Sequence, residues 1–515
     1  MRNNSPMISS SFKKPYFMDG PIGVLTEDKC CLADSSPGAN NKLGDTGDKV
    51  NLYIANRRGG RFLYALDVNN PVDPKFIWKI SSSTTDFSEL GQTWSQPTVV
   101  PSLGGLTVPV LVFGAGYDEA VDDVDPALIH SIAGNGDVCL DATCAGATRR
   151  ARSMGRGIYV VNAYTGALIW RALGAGTASS TTKIVSGMNY AIPSDVTVIR
   201  NETTGVVNRA YVGDTGGNMW RIDFKPDPLL ASPNLALTTV TKLASIADES
   251  TAAGRRKFLF PPDVVGQVGF DAVLIGSGDR EHPFDTTVTN RFYMFKDKGN
   301  DTAPLTGTAA ATCDPTIVEG PIADVANACA PAADATTTPP VTGDIPGMSD
   351  LTSNCIQEAS KCVLLSGETA GDAQARITAK LGTDRGWFIT LNAGEKVVGN
   401  AISIGGTTFF NTNQPSSTAS GAACGSNLGI ARQYQVGTAD ATATTDLNAV
   451  GGLTGEDRSL VHAGGGYLPS PVHVVVMLDG QPVEAVISGV QVSTPAGVTL
   501  SSRLRKYWYK EVDPR

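Results

Sequence analysis

The sequence predicts an all-β protein built from a repeated strand–turn–strand unit. Glycine and proline number 56 and 30 among the 515 residues, which favours frequent chain reversal over long helices. A hairpin-like segment containing tryptophan recurs along the chain, and short apolar strands ending in glycine lie between its copies. A unit of this kind describes one four-stranded blade. We therefore predict a multi-bladed β-propeller of about 5–7 blades with long loop insertions.

The two clearest copies of the hairpin occupy residues 60–80 and 155–171. Each predicts a strand with period-two alternation, a turn led by Asp or Asn, and a second strand that contains Trp78 or Trp170. Weaker copies are found at 213–223, 290–297 and 386–392. A two-sheet sandwich whose hairpins are similar by chance is the alternative. The shared Tyr-x-x-Asp/Asn pattern and the tryptophan favour the propeller.

Composition shifts divide the chain into four predicted regions. These are an N-terminal segment with part of an incomplete blade (1–48), propeller blades (49–299), an insertion rich in Ala, Thr, Pro and Cys (300–365), and the remaining blades with a closing strand (366–515). The insertion lacks sustained periodicity, so we expect an exposed segment pinned by disulfides rather than by a core.

Two features are expected near the C-terminus. Residues 473–478 and 483–487 predict a hairpin around Asp479-Gly480. The alternation of basic and aromatic residues at 503–510 predicts a final strand, with an interaction tail as the alternative.

The charge and hydropathy of the chain exclude two function classes. Formal net charge is −9 and no dense Lys/Arg stripe is present, which disfavours nucleic-acid binding by phosphate neutralisation. No window approaches the ~18 consecutive apolar residues of a transmembrane helix.

The nine cysteines predict an oxidising compartment. Several stand close together in loop-like segments, whereas the four histidines are scattered, so disulfides are favoured over a zinc site. The odd count leaves one thiol free or paired outside this chain. The disulfide candidates are Cys139, Cys144, Cys313, Cys329, Cys355 and Cys362.

Six motifs together resemble a known family. They lie at residues 16–20, 59–67, 90–97, 112–117, 157–166 and 209–221, with thinner matches at 386–387, 394–398 and 406–410. This order is similar to the C-terminal β-propeller of the PilY family, the large type IV pilus biogenesis factors and tip adhesins. The match is specific over roughly residues 15–300.

The resemblance implies a non-enzymatic role in pilus (fimbrium) assembly, cell adhesion and twitching motility at the pilus tip or outer cell surface. It implies minor and major pilins or the assembly machinery as partners, and host-surface ligands as further ones. Residues 1–16 contain no signal peptide, whereas family members carry one upstream of the matched stretch. We therefore expect Met1 to lie inside a longer reading frame that supplies the export signal and the missing first blade.

Two other function classes are alternatives to a role in pilus assembly. Quinone (PQQ)-dependent dehydrogenases have similar blade repeats, which Tyr159–Trp170 nearly matches, and Cys30-Cys31 could supply their adjacent-cysteine disulfide. These cysteines precede the first repeat, however, and no motif supplies the acidic base. A secreted adhesin unrelated to pili is the other alternative. We expect His282 to be an exposed loop histidine and the acidic residues 118–125 to be a solvated insertion rather than a calcium site.

The resemblance also predicts a calcium loop that this chain has lost. Many relatives carry an Asp-x-Asn-x-Asp-Gly-x-x-Asp loop before the strand at 210–214. Its ligand positions are taken here by Arg200, Glu202, Thr204, the Val206 carbonyl and Asn208, with Gly205 keeping the turn. Ca²⁺ needs six to eight oxygens, several of them anionic. Because Arg200 places a cation at the first position, we expect no Ca²⁺ binding at this loop and no other cofactor.

Overall fold

The computed structural model describes residues 16–29, 43, 45, 47–118, 154–201, 203–248, 251–298, 317–318, 347–416, 428–478, 481–489 and 491–493. Within these residues the regular secondary structure is almost entirely β-strand, with a few short 3-10 turns and one α-helix, α1 (Ala370–Thr383). The all-β prediction is confirmed. No helix among the described residues has the length and apolar character needed to cross a membrane.

The strands are short and follow one another closely along the chain. In chain order the first thirteen are β1 (Ile22–Glu27), β2 (Lys49–Ala55), β3 (Phe62–Asp67), β4 (Lys75–Ser81), β5 (Thr98–Val100), β6 (Val110–Gly114), β7 (Gly157–Asn162), β8 (Leu168–Leu173), β9 (Thr182–Ile184), β10 (Thr197–Arg200), β11 (Val207–Gly213), β12 (Asn218–Asp223) and β13 (Thr239–Ser245). The remaining strands are β14 (Asp263–Gln267), β15 (Phe270–Gly276), β16 (Arg291–Asp297), β17 (Ile317–Val318), β18 (Ser349–Asp350), β19 (Gly386–Thr390), β20 (Lys396–Val397), β21 (Ile402–Ile404), β22 (Thr407–Gln414), β23 (Ile430–Gly437), β24 (Ser459–His462), β25 (Val472–Leu478), β26 (Gln481–Ser488) and β27 (Gln491–Ser493).

These strands form six sheets, each built from neighbouring parts of the chain. Sheet 1 is β1-β2-β3-β4, sheet 2 is β5-β6-β7-β8-β9, and sheet 3 is β10-β11-β12-β13-β17. Sheet 4 is β14-β15-β16-β19-β18, sheet 5 is β20-β22-β23-β24 with β21 also on β22, and sheet 6 is β25-β26-β27. In sheets 1 to 4 the first four strands are antiparallel, and each added outer strand (β9, β17 or β18) is parallel to its neighbour. The predicted hairpin near the C-terminus is confirmed as β25 and β26.

Successive sheets pack face to face through apolar cores. Every residue of β6 and of β16 is buried, because these strands are covered on both faces. Four clusters join sheets 1 and 2, 2 and 3, 3 and 4, and 4 and 5 in turn. In the last of these, Phe292 stacks on Phe410 with 3.8 Å between ring centroids. The interior is therefore a series of inter-sheet layers rather than one central core.

Three of the repeated tryptophans occupy the same place, on the fourth strand of their sheet. The Trp78 indole donates to the carbonyl of Ala163 in sheet 2 (3.3 Å), and the Trp387 indole donates to that of Thr438 beyond β23 (3.1 Å). Trp170 packs edge-on against Phe224, which follows β12 of sheet 3. Each ring thus reaches the next sheet, so the recurring tryptophan is an inter-sheet packing residue.

The third copy of the repeat is shifted by one strand relative to the others. Trp220 lies on β12, the third strand of its sheet, and its indole donates to the Asp214 carboxylate of its own turn (2.8 Å). The prediction that residues 213–223 occupy the same position in their sheet as the copies at 60–80 and 155–171 is therefore wrong by one strand. The residue types agree because both places need an aspartate or asparagine to cap a tight turn.

The first strands of neighbouring sheets also lie side by side. The Gln96 amide just before β5 donates to the carbonyl of Ile22 in β1 (3.1 Å), and its backbone N–H donates to Asp195 before β10 (2.5 Å). The Thr197 hydroxyl donates to the carbonyl of Pro262 before β14 (2.6 Å). Polar bonds therefore join the starts of sheets 1 to 4 in sequence.

Glycine is needed where strand ends approach the next sheet. A Cβ on Gly114 would lie 2.3 Å from the carbonyl oxygen of Ile192, and one on Gly276 would lie 2.2 Å from a methyl group of Val397. Gly116 also has φ +105°, which L side chains rarely adopt. This explains the apolar strands ending in glycine that the sequence repeats.

Two parts of the chain differ from expectation. Residues 347–351, which we assigned to an insertion without a core, supply β18 to sheet 4 and bury Met348 and Leu351. The helix α1 was not foreseen, although it begins with a capping box in which Thr369 and Asp372 bond reciprocally. The predicted strand at 503–510 lies outside the described residues.

Candidate functional sites

The predicted calcium loop is the tight turn between β10 and β11. The Asn201 side chain closes it by accepting from the backbone N–H groups of Thr203 (3.0 Å) and Thr204 (2.9 Å) and from the Thr204 hydroxyl (3.1 Å). Gly205 has φ +70° and donates to the Asn201 carbonyl, so the turn glycine is present as expected. The predicted set of ligand positions did not include Asn201.

Two of the described ligand positions, Arg200 and Val206, make contacts within the turn. The Arg200 guanidinium is exposed and donates to the Gly205 carbonyl (3.4 Å), while the Val206 carbonyl accepts from the Asn201 N–H (2.9 Å). Asn208 is exposed on β11. Glu202 lies outside the described residues. The expected loss of Ca²⁺ binding therefore stays a prediction.

One predicted pair of cysteines is joined. Cys355 and Cys362 form a disulfide across the 3-10 turn Ala359–Lys361. The other candidates, Cys139, Cys144, Cys313 and Cys329, lie outside the described residues, as do Cys30 and Cys31 of the dehydrogenase alternative. The disulfide braces the segment that leads into α1.

Three loops from different sheets meet around Arg58. We call Tyr16, Arg57, Arg58, Trp94 and Glu281 the Arg58 cluster. The Arg58 guanidinium pairs with the Glu281 carboxylate, donates to the Tyr16 hydroxyl (3.0 Å), and lies 5.8 Å from the Trp94 ring centroid. Burial alone would lower the pKa of Arg58, but Glu281 and Tyr16 outweigh it and raise that pKa. The pairing joins residues of sheets 1 and 4 that are 223 positions apart.

The aromatic part of this cluster is held rigidly. Trp94 stacks on Tyr117 with 4.6 Å between centroids, and the Arg57 guanidinium lies 5.5 Å from the Trp94 ring. Arg57 has φ 47°, a backbone conformation that costs a non-glycine residue ~1–3 kcal/mol. Arg57 therefore takes its place in the cluster at a local cost in backbone conformational energy. The motif at 90–97 pointed to this region, but no sequence signal linked it to Glu281.

A buried ion cluster lies next to Glu281. The Asp279 carboxylate contacts the Lys257 ammonium (2.6 Å) and the His282 imidazole Nδ1 (2.9 Å). Burial alone would raise the pKa of Asp279, but the two basic neighbours more than offset it and hold that pKa well below its usual range. The His282 side chain is only 15% exposed, so the expectation of an exposed loop histidine was wrong. His282 instead pairs with the nearby Asp279 and so closes the loop that contains both residues.

The described residues do not gather metal-ligating side chains. No group of three or more His, Cys, Asp or Glu side chains there is placed to hold a metal ion. Of the acidic residues 118–125, only Asp118 belongs to that part of the chain.

Comparison with known proteins places this architecture in context. No protein-family model matches the chain. It is 30% identical over 192 residues to the type IV pilus biogenesis factor PilY1 of Pseudomonas aeruginosa strain UCBPP-PA14, covering 37% of this chain and 13% of that protein. It is 24% identical over 168 residues to a PilY1 homolog of Xylella fastidiosa, covering 32% and 9%. The matched stretches thus span about a tenth of these relatives.

The fold agrees with the sequence likeness. The crystal structure of the Pseudomonas aeruginosa PilY1 C-terminal domain superimposes with a TM-score of 0.51 at 17% identity, over 92% of this chain and 82% of that one. The chain is thus similar in sequence to PilY1 proteins over about a third of its length, and similar in fold to the PilY1 C-terminal domain.

Proposed function

We propose that the chain acts in type IV pilus biogenesis and adhesion as a non-enzymatic binding module at the pilus tip or outer cell surface. The named function of its relatives supports the assignment to pilus biogenesis. Pilins or the assembly machinery are the proposed partners, with host-surface ligands as further ones, and no cofactor is required.

The order in which the sheets stack supports a propeller, an arrangement that suits a binding role. The first strands of sheets 1 to 4 are bonded one to the next, and each apolar layer joins consecutive sheets. Strand β14 of sheet 4 also lies next to β21, which extends the series to sheet 5. Stacking of consecutive sheets is what a propeller requires, and a propeller brings the loops of different blades to common end faces.

The Arg58 cluster is the observation that carries the proposal. It gathers loops of sheets 1, 2 and 4 into one surface of arginine and aromatic side chains, the residue types enriched at protein interfaces. Phe17 and Phe284 are exposed beside it, and the Arg280 guanidinium lies 5.1 Å from the Tyr467 ring. A rigid surface of this composition suits recognition of a protein partner rather than chemistry.

Gene deletion tests the proposal. Deleting the gene in its natural host should reduce surface pili and twitching motility, and expression of the intact reading frame should restore both. Complementation with Phe17→Ser/Phe284→Ser, which changes exposed side chains beside the cluster, should restore fewer pili at equal protein level. Val268→Ser, at an exposed hairpin tip, is the matched control. Unchanged piliation after deletion, in a strain without a second copy, would refute the role in assembly.

A further inference from the structure

A polar cleft lies between the disulfide-braced segment and a glycine-rich loop. Its volume is about 400 Å³, within the range of ~300–1,000 Å³ usual for small-molecule sites. One wall is formed by residues 352–361 and the other by residues 448–458. Val450 is the only apolar residue with a large side chain among those that line it. An apolar ligand would therefore find few partners here.

The floor of the cleft contains a buried cation without a carboxylate partner. Arg458 is 5% exposed, and its guanidinium donates to the carbonyls of Leu351 (2.8 Å) and Thr352 (3.1 Å) and to the side-chain oxygen of Asn354 (2.7 Å). Its Nε has no hydrogen-bond partner. Burial lowers the pKa of Arg458 to about 10, and the more distant carboxylates of Asp440 and Glu358 offset this only in part. A buried cation in this state is stabilised by any anion that enters beside it.

The walls are held in an unusual conformation. Asn354 and Ala449 are non-glycine residues with φ of 60° and 55°, and Gly451 and Gly452 also have left-handed backbones. The Glu358 carboxylate ties the two walls together, because its Oε1 accepts from the Asn354 amide (2.9 Å) and from the Gly455 N–H (2.5 Å). Strain that persists in this way clusters at ligand-binding sites.

The lining offers two kinds of recognition side by side. Lys361 is exposed at the rim and adds a second cation to that of Arg458, which suits a carboxylate. Glu358 and Glu456 supply acceptors, and Thr352 and Thr454 supply hydroxyl groups, which suit the hydroxyls of a sugar. A ligand with a carboxylate at one end and hydroxyl groups along the rest can bind both to the cations and to the acceptors and hydroxyls of the cleft.

We infer that this cleft is a binding site for an acidic sugar such as a uronic acid. The site goes beyond the role in pilus assembly and does not depend on it, since binding is measured on the purified chain. The Cys355–Cys362 disulfide closes the wall that carries Glu358 and Lys361, so the site is pre-organised only in the oxidised protein.

Calorimetric titration of the full chain with sodium glucuronate tests the inference. We expect millimolar or tighter affinity, with glucose and acetate each bound at least about tenfold more weakly because each lacks one half of the recognised ligand. Lys361→Gln should weaken glucuronate binding about tenfold without changing the melting temperature. Lys225→Gln, which changes an exposed lysine elsewhere, is the matched control. Cleavage of the disulfide by a phosphine should weaken binding as well.

Three results would overturn the inference. These are an absence of glucuronate binding by the folded protein, equal affinity for glucuronate and for glucose or acetate, and equal effects of Lys361→Gln and Lys225→Gln. Glu358→Gln provides a second variant. It should weaken glucuronate binding relative to acetate binding, because only glucuronate has hydroxyl groups that need the Glu358 acceptor.

Discussion

Asp279 carries its charge inside the protein because basic side chains face it. The Lys257 ammonium and the His282 imidazole both contact its carboxylate, and Arg58 reaches the same loop through Glu281. Since the pKa of Asp279 is lowered in the folded state, the ionised form stabilises the fold. That stabilisation is present above the unfolded pKa of ~3.9 and is lost as pH falls below it.

Replacing this carboxylate should therefore change stability in a pH-dependent way. Asp279→Asn removes the charge that faces Lys257, and breaking a buried ion pair from one side costs ~3–5 kcal/mol. We expect this loss in the free energy of unfolding at pH 7, measured by urea denaturation. The difference from wild type should shrink as pH falls below about 4, because the carboxylate of the unfolded wild-type chain takes up a proton there while the folded one, whose pKa is lowered, stays ionised.

Asp73→Asn is the control for that measurement. Its carboxylate pairs with Lys75, but both side chains are more than half exposed. Exposed pairs contribute ~0–1 kcal/mol, so this variant should unfold like the wild type at every pH. Equal effects of the two substitutions would contradict the account of Asp279.

The turn at Arg200–Asn208 gives a second prediction for single residues. Calorimetric titration of the wild-type chain with Ca²⁺ should show no site at this loop in the micromolar range, because Arg200 stands where a carboxylate is needed. The triple variant Arg200→Asp/Glu202→Asn/Thr204→Asp restores the Asp-x-Asn-x-Asp-Gly pattern before Gly205 and should gain Ca²⁺ affinity. A micromolar site in the wild type that disappears in Glu202→Ala/Asn208→Ala would refute the prediction.

At the level of strands and sheets, the close approach of a strand end to the next sheet limits which residues can replace glycine there. Gly114→Ala places a methyl group 2.3 Å from the Ile192 carbonyl oxygen, so one of the two sheets has to shift. We expect a loss of ~1–3 kcal/mol in the free energy of unfolding, the usual cost of overpacking. Gly266→Ala, on β14 with no atom within 4 Å of the new methyl group, should be neutral or slightly stabilising. A similar loss in both variants would mean that backbone freedom, not the contact, requires glycine.

How much of the architecture can be read from the sequence differs from element to element. The hairpins around Trp78 and Trp170 were identified because their alternation and turn residues are local signals. Trp220 was placed one strand too late, since a capped turn followed by tryptophan occurs at two different positions in these sheets. The short parallel strand β18 could not be foreseen, because its partner β19 lies more than thirty residues further along the chain.

In the candidate sites, too, local features could be predicted from the sequence, whereas contacts between distant segments could not. The turn at Gly205 is a local feature and was found where the sequence indicated it. The ion pair between Arg58 and Glu281 joins residues 223 positions apart, and no pattern of spacing reports such a contact. The cleft near Arg458 likewise depends on two segments that are distant in sequence. The helix α1 is the exception, because its Thr369-x-x-Asp372 capping box was a readable signal.

For the whole molecule, the layers between sheets differ in chemistry. Sheets 1 to 5 are joined by apolar clusters, whereas sheets 5 and 6 meet through polar side chains. Asn411 donates to Ser488 (2.6 Å) and Gln435 donates to Ser493 (2.9 Å) across that boundary. The buried side-chain oxygens of Asn411 and Gln433 have no hydrogen-bond partner. A layer of this kind gains little from burial, and each unsatisfied oxygen costs ~1–3 kcal/mol.

Sheet 6 should therefore open before the rest of the protein. In native-state hydrogen exchange we expect the amides of β25–β27 to exchange faster than those of β15 and β16, and to do so without global unfolding. Substituting Gln433→Leu removes an unsatisfied buried oxygen and only a long hydrogen bond to Ser493 (3.4 Å), so it should slow exchange in sheet 6. If all six sheets exchange with one common free energy of opening, the polar layer is as cohesive as the apolar ones and the prediction is wrong.

The contact between Arg58 and Glu281 has a mechanical consequence. Each apolar layer links a sheet only to the next one, so a pulling force applied to sheet 1 would otherwise pass through sheets 2 and 3 before reaching sheet 4. The ion pair supplies a direct second path between sheets 1 and 4. A load then divides between two routes instead of concentrating at the weakest layer.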